Sequence, residues 1–182
     1  MSGSLRRNST STAVLRTAQV VAPERVVTVL YGNLAALPHF NPDDDVVPLP
    51  VAVVDLRSHI FDADAVLFST PEYAGALPGS FKNLLDWTIG DEQTRSMYEK
   101  PVAWINAAFR GADDAHESLR KVLGFAHSMI VESACAHIPV TAAMIGDDGL
   151  IADVSTRNAI AQVLVALADG VERFGAQMST PD

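Results

Sequence analysis

Two hydrophobic periods alternate along this chain. Val14, Leu15, Ala18 and Val21 share one face of a helix predicted over residues 12–22. Residues 25–31 (RVVTVLY) are β-branched and predict a strand. Residues 33–50 hold four prolines and the acidic trio Asp43, Asp44 and Asp45, so they read as a solvated surface loop. Pro50 suits the first turn of a short helix reaching Ile60. A buried strand is expected over 63–69, then a helix over 80–89 that buries Phe81, Leu84, Leu85 and Thr88. After a polar linker at 90–100, the pattern predicts a strand at 101–107 and a helix at 113–127 with Leu119, Val122, Leu123 and Ala126 together. Residues 135–140 form the next strand candidate, and Gly146, Asp147, Asp148 and Gly149 a turn. The last helix, 154–174, is the most regular, with Ile160, Val163, Leu164, Leu167, Val171 and Phe174 at helical spacing.

Strands alternating with helices imply a parallel sheet covered on both faces. At 182 residues the default is a single domain, 1–182, long enough to bury a substantial core. The lack of a GxGxxG turn favours a flavodoxin-like three-layer α/β/α arrangement over a dinucleotide-binding one. In such sheets ligands bind beyond the carboxyl ends of the strands.

Composition narrows the function. A hydrophobic fraction of 48% and a mean hydropathy of +0.17 argue against disorder. No apolar run approaches the ~20 residues of a membrane span. The start, MSGSLRRNST, lacks the apolar core of a signal peptide, and one cysteine excludes an internal disulfide, so a cytoplasmic location is expected. A net charge of −9 disfavours nonspecific nucleic-acid binding. The five histidines show no ligand spacing, which predicts no metal site. His137 reads as a satisfied core or edge histidine, and Cys135, among apolar neighbours, as an inert buried thiol. No hydrolase GxSxG or Walker phosphate loop is present.

Three segments at strand ends carry candidate chemistry. Residues 2–12 (SGSLRRNSTST) pack six hydroxyls and two arginines before a helix, which suits either a capped helix with a flexible leader or an anion site. Residues 67–87 (LFSTPEYAGALPGSFKNLLDW) run from a strand through a tight turn into a helix, and taken alone PEYAG also fits an ordinary surface turn. Residues 106–111 (NAAFRG) link a strand to a helix.

The block PEYAG…PGxxKNxxDW, together with GSLRxxS, resembles the NAD(P)H-dependent FMN reductase family, whose members include quinone, azo-dye and chromate reductases. The resemblance runs from Gly3 to the final helix. It implies noncovalent FMN, NADPH or NADH as donor, and hydride passing through flavin N5 to a quinone, azo compound, flavin or similar small acceptor, in ping-pong fashion. The cofactor carries that chemistry, so no catalytic side chain is required. By the resemblance, Ser4, Arg6, Ser9 and Ser11 face the FMN phosphate, with Ser11 where the family usually has Asn. Pro71, Glu72, Tyr73, Ala74 and Gly75 hold the ring, with Ala74 in place of a frequent Asn. Asn106 and Gly111 border its other edge, where two alanines replace the family's hydroxyls. Arg110 is a candidate for the nicotinamide cofactor's phosphate or a solvated surface residue. Lys82, Asn83 and Asp86 are expected to tie the PEYAG loop down or to serve a subunit contact. Homodimers or homotetramers are implied, with the Trp87 helix end and residues 90–100 as contact candidates. Two rivals stand beside this reading: a flavin-binding electron carrier, whose usual TxTGxT loop is missing, and a degenerate, non-enzymatic relative.

One departure is structural. In the family, GSLR follows an apolar strand in an interior slot of the sheet, whereas only Met1, Ser2 and Gly3 precede Ser4 here. The first strand is expected to be missing or truncated, so that either the product starts upstream or neighbouring strands close the gap.

Overall fold

The computed structural model describes residues 1–89 and 96–178. Among these residues five α-helices and four strands follow in the order α1 (Thr10–Val21), α2 (Val51–Asp62), β1 (Val66–Phe68), α3 (Gly79–Ile89), β2 (Pro101–Asn106), α4 (Asp113–Phe125), β3 (Met129–Ile130), β4 (Ala136–His137) and α5 (Val154–Met178). All strand pairs are parallel, and β2 is central. β1 lies on one side, with Val66 opposite Val102 and Phe68 opposite Trp104. On the other side β3 and β4 share one edge, interrupted by a 3₁₀ turn at Glu132–Ala134.

Side-chain alternation along the strands divides the core into two layers. Val66, Phe68, Val102 and Trp104 join one apolar cluster with Val53, Leu56 and Ile60 of α2, Phe81, Leu84 and Leu85 of α3, and Leu119 and Leu123 of α4. Ala103, Ile105 and Ala107 face a second cluster with Val14 and Ala18 of α1 and Ile160, Val163, Leu164 and Leu167 of α5. This is the α/β/α sandwich that the alternating pattern predicts.

Four expectations change. Residues 25–31 form no strand, because they meet no ladder partner among the described residues, and Val27 and Val29 stand exposed. β-propensity needs a neighbouring strand to be realised. The neighbouring strands do not close the gap beside β1; instead Ser2 makes a single parallel bridge to Ser69, with Gly3 N–H donating to Ser69 O at 2.8 Å. The strand expected over 135–140 is only Ala136–His137, and the pattern missed Met129–Ile130 because the intervening turn breaks the period. Asp45 is not a solvated loop residue: both its carboxylate oxygens accept from Arg57 Nη2, at 2.8 and 2.9 Å, with the two side chains nearly buried. Arg57 Nε also donates to Trp87 O, so the pair pins the 33–50 loop to α3.

Candidate functional site

Three loops follow strand ends on the same side of the sheet. Loop 1 (residues 4–9) follows the Ser2–Gly3 bridge, loop 2 (70–78) follows β1, and loop 3 (107–112) follows β2. Loops 1 and 2 are in close contact at their bases. A Cβ on Gly3 would lie 2.7 Å from Thr70 Cβ, 2.9 Å from Phe81 Cγ and closer still to Thr70 Oγ1, so only glycine fits there.

Loop 1 leads into α1 through Ser9, whose hydroxyl accepts from Thr12 N–H at 3.3 Å. Ser2 Oγ lies 2.8 Å from Thr12 Oγ1 and accepts from Ser4 N–H, and Ser4 Oγ accepts from Arg6 N–H. The hydroxyls thus brace the loop in a chain. Ser9 and Ser11 are buried, whereas Arg6 and Arg7 are exposed and meet no acidic partner among the described residues. The N–H groups of Thr10 and Ser11, in the first turn of α1, have no acceptor within the helix, because a first turn lacks preceding carbonyls. Two open helix-end amides, preceded in the same loop by two guanidinium groups without an acidic partner among the described residues, offer donors suited to a phosphate dianion. The sequence pattern singled out Arg6 and passed over Arg7, although the two are adjacent.

Loop 2 contains a tight turn. Tyr73 and Ala76 exchange both backbone hydrogen bonds, at 3.0 and 3.2 Å, around Ala74 and Gly75 at φ 52° and 72°. Two consecutive positive φ values define a type I′ geometry that suits Gly or Asn. Alanine at position 74 therefore carries backbone strain that the family's frequent Asn would bear more easily. The turn leaves the N–H groups of Ala74 and Gly75 without a partner among the described residues, and Tyr73 is half-exposed beside them.

The Glu72 side chain serves elsewhere. Its Oε2 accepts from Ala115 N–H at 3.0 Å and caps α4 from outside, since the helix's own cap position, Ala112, has no side-chain acceptor and sits at φ 66°. This bond joins loop 2 to the first turn of α4 across 43 residues of sequence, and no local motif announces it. Within loop 3, Asn106 is buried and uses both ends of its amide: Oδ1 accepts from Ala108 N–H, and Nδ2 donates to Gly111 O. Asn106 and Gly111 thus shape the loop, Gly111 at φ 67°. Exposed Phe109 lies under the Arg110 guanidinium, 5.9 Å from its carbon to the ring centroid.

The KNLLDW segment works differently from expectation. Asn83 Oδ1 accepts from Phe40 N–H, while Asn83 Nδ2 and Trp87 Nε1 both donate to Pro38 O. These residues fasten the 38–40 segment, not the PEYAG loop, because their side of α3 faces that segment. Lys82 and Asp86 form an ion pair one helical turn apart. Trp87 is fully buried, which removes its ring from any subunit contact, and much of the 90–100 candidate lies outside the described residues.

Next to loop 3, His116 is buried with Nδ1 donating to Ala112 O; burial drives its pKa down, which leaves Nε2 an unprotonated acceptor. Cys135 is half-buried and its thiol is pushed up to about 11 by desolvation, which makes it a poor nucleophile. His137 is exposed, with Nε2 at 2.8 Å from Ala108 O, which makes it an edge histidine bracing loop 3. No group of three metal-ligating side chains occurs among the described residues. No described helix is long and apolar enough to cross a membrane.

Known proteins resemble this chain over most of its length. Residues 1–142 match the profile of the family described as NADPH-dependent FMN reductase. An NAD(P)H-dependent FMN reductase of Pseudomonas aeruginosa is 30% identical over 176 residues, covering 96% of this chain and 94% of that protein. A quinone reductase of Escherichia coli is 30% identical over 132 residues, covering 71% of this chain and 70% of its own. Among solved structures, the flavoenzyme NAD(P)H:(acceptor) oxidoreductase FerB from Paracoccus denitrificans superposes with a TM-score of 0.81 at 29% identity, over 96% of each chain.

Proposed function

The chain belongs to the NADPH-dependent FMN reductase family, and from that premise we propose that it is a flavin-dependent oxidoreductase using NADPH or NADH to reduce a small acceptor of the quinone type. FMN, when bound, would supply the redox chemistry, hydride transfer between the nicotinamide cofactor and the acceptor. The residues present fit that cofactor. Unpaired Arg6 and Arg7 and the Thr10 and Ser11 amides would hold the phosphate, with the Ser4, Ser9 and Ser11 hydroxyls bracing that end. The Ala74 and Gly75 amides would donate to the polar edge of the ring, and Tyr73 would wall one side. Pro71 precedes that turn, and Glu72 anchors it through its cap on α4. Asn106 and Gly111 hold loop 3 at the opposite rim.

The observation that carries the reading is the pairing of two separate donor sets left open at adjoining strand ends: one built for an anion, the other a pair of turn amides. Preorganised amides of this kind stabilise negative charge without reorganising, as a reduced flavin anion requires. We propose that the acceptor then uses the same face in turn, and that the protein assembles as a homodimer or homotetramer. The exposed Ile89 and Tyr98, on either side of the undescribed 90–95, support a contact there.

The test is the absorption spectrum of purified protein supplied with FMN, freed of excess, before and after anaerobic NADPH. A retained flavin band that NADPH bleaches supports the assignment. A retained band that NADPH leaves unchanged makes the protein a carrier, and a colourless protein defeats the function.

A further inference from the structure

The sheet edge formed by β3 and β4 is broken by the 3₁₀ turn at Glu132–Ala134, and between that break and α4 lies a cleft of about 270 Å³. Trp104 of β2, His116 and Arg120 of α4, and Cys135 and Ala136 line it. His116 is only 7% exposed. Its Nδ1 donates to Ala112 O at 2.6 Å, within its own helix, which makes Nε2, on the other edge of the neutral ring, an acceptor. Nε2 is buried and receives no hydrogen bond among the described residues. A buried acceptor without a donor is costly, so the cleft favours an occupant that supplies one. The other polar side chains of the wall are committed: Asn106 to Ala108 N–H and Gly111 O, and His137 to Ala108 O. Asp113 stands exposed at the rim.

The surroundings select the occupant. The Trp104 and His116 rings lie 6.4 Å apart at 46° and make an aromatic corner. Arg120 covers Trp104, with its guanidinium carbon 5.0 Å from the ring centroid, and both its terminal nitrogens donate to Glu132. With that arginine already paired, an anion finds no open cation. Burial lowers the His116 pKa and pushes the Cys135 thiol up to about 11, and the same desolvation penalises an ammonium beside Nε2. A neutral donor remains. Size narrows it further, since a cavity of about 150 Å³ takes a benzene ring and drug-sized ligands need about 300 Å³ or more. We propose that this cleft binds a small neutral aromatic hydroxyl compound, a single ring of the phenol class, whose O–H donates to His116 Nε2 while the ring packs into the Trp104 corner. The site shares no donor with loops 1 and 2 and stands whether or not a flavin is bound.

The probe is para-cresol, and its methyl ether is the control that keeps the ring and loses the donor. Protein supplied with FMN is titrated with each and followed by nitrogen NMR of the histidine imidazoles. Para-cresol is expected to move the His116 Nε2 resonance saturably and to bind at least about tenfold more tightly than the ether. In His116→Phe, which keeps a ring and removes the acceptor, the two compounds should bind alike. Absence of a saturable shift, equal affinities in the wild type, or an undiminished gap in the variant would overturn the proposal. Movement of the Ala74 and Gly75 amides with His116 unchanged would also overturn it, by placing the phenol at the flavin loops. Should the variant fail to fold, the two affinities in the wild type decide alone.

Discussion

Loops 1 and 2 leave adjoining positions on one sheet, yet they are secured in different ways. Loop 2 grows from a strand with a full ladder to β2, closes on itself through Tyr73 and Ala76, and is bolted to α4 by Glu72. Loop 1 follows a single bridge from Ser2 to Ser69, and its order comes from a chain of serine hydroxyls and the α1 cap. The difference separates donor chemistry from scaffold. Both loops present unpaired amides, but loop 2 is held by long-range bonds, whereas loop 1 depends on its own sequence. Cooperative scaffolding keeps a site within the narrow tolerance that function requires, so perturbations should spread further from loop 1 than from loop 2.

Gly3→Ala, at the base of loop 1, gives the largest expected effect, by steric means. Its Cβ would overlap Thr70 and Phe81, with an expected loss of about 3 kcal/mol in a chemical melt, because both neighbours are buried. A loss below about 0.5 kcal/mol would mean that loop 1 yields freely. On the strong side, Glu72→Ala removes the α4 cap and should lower stability by about 1–2 kcal/mol. The turn at 73–76 survives by its own two bonds, so FMN affinity should fall less in Glu72→Ala than in Gly3→Ala. An equal fall in the two variants would erase the contrast between the loops. Smallest of all, Ala74→Gly relieves a positive φ and should raise stability by about 0.5–1 kcal/mol, read from the same melts.

The same contrast explains what was legible in the sequence. Helical periodicity announces α1 to α5, and apolar runs announce β1 and β2, because those elements bury faces whose spacing is local. Residues 25–31 carry every local mark of a strand and form none, since pairing is decided by a partner elsewhere in the chain. The Asp45–Arg57 pair, the Glu72 cap and the hold of Asn83 on Pro38 and Phe40 join distant segments, so composition hid them and made Asp45 look solvated. At the site, residue identity pointed to loops 1 to 3, while the bracing hydrogen bonds of Glu72 and Asn106 join distant or turn backbone groups and carry no local signature.

The central claim is that loop 1 holds a phosphate while loop 2 holds a flavin ring. Fluorescence titration of the protein with FMN and with riboflavin, in wild type and in Arg6→Ala, tests it most directly. Two or more charge-assisted bonds to the phosphate predict FMN binding at least about a hundredfold tighter than riboflavin, with the gap narrowing in Arg6→Ala and riboflavin affinity unchanged. Equal affinities for the two flavins in the wild type would contradict the account.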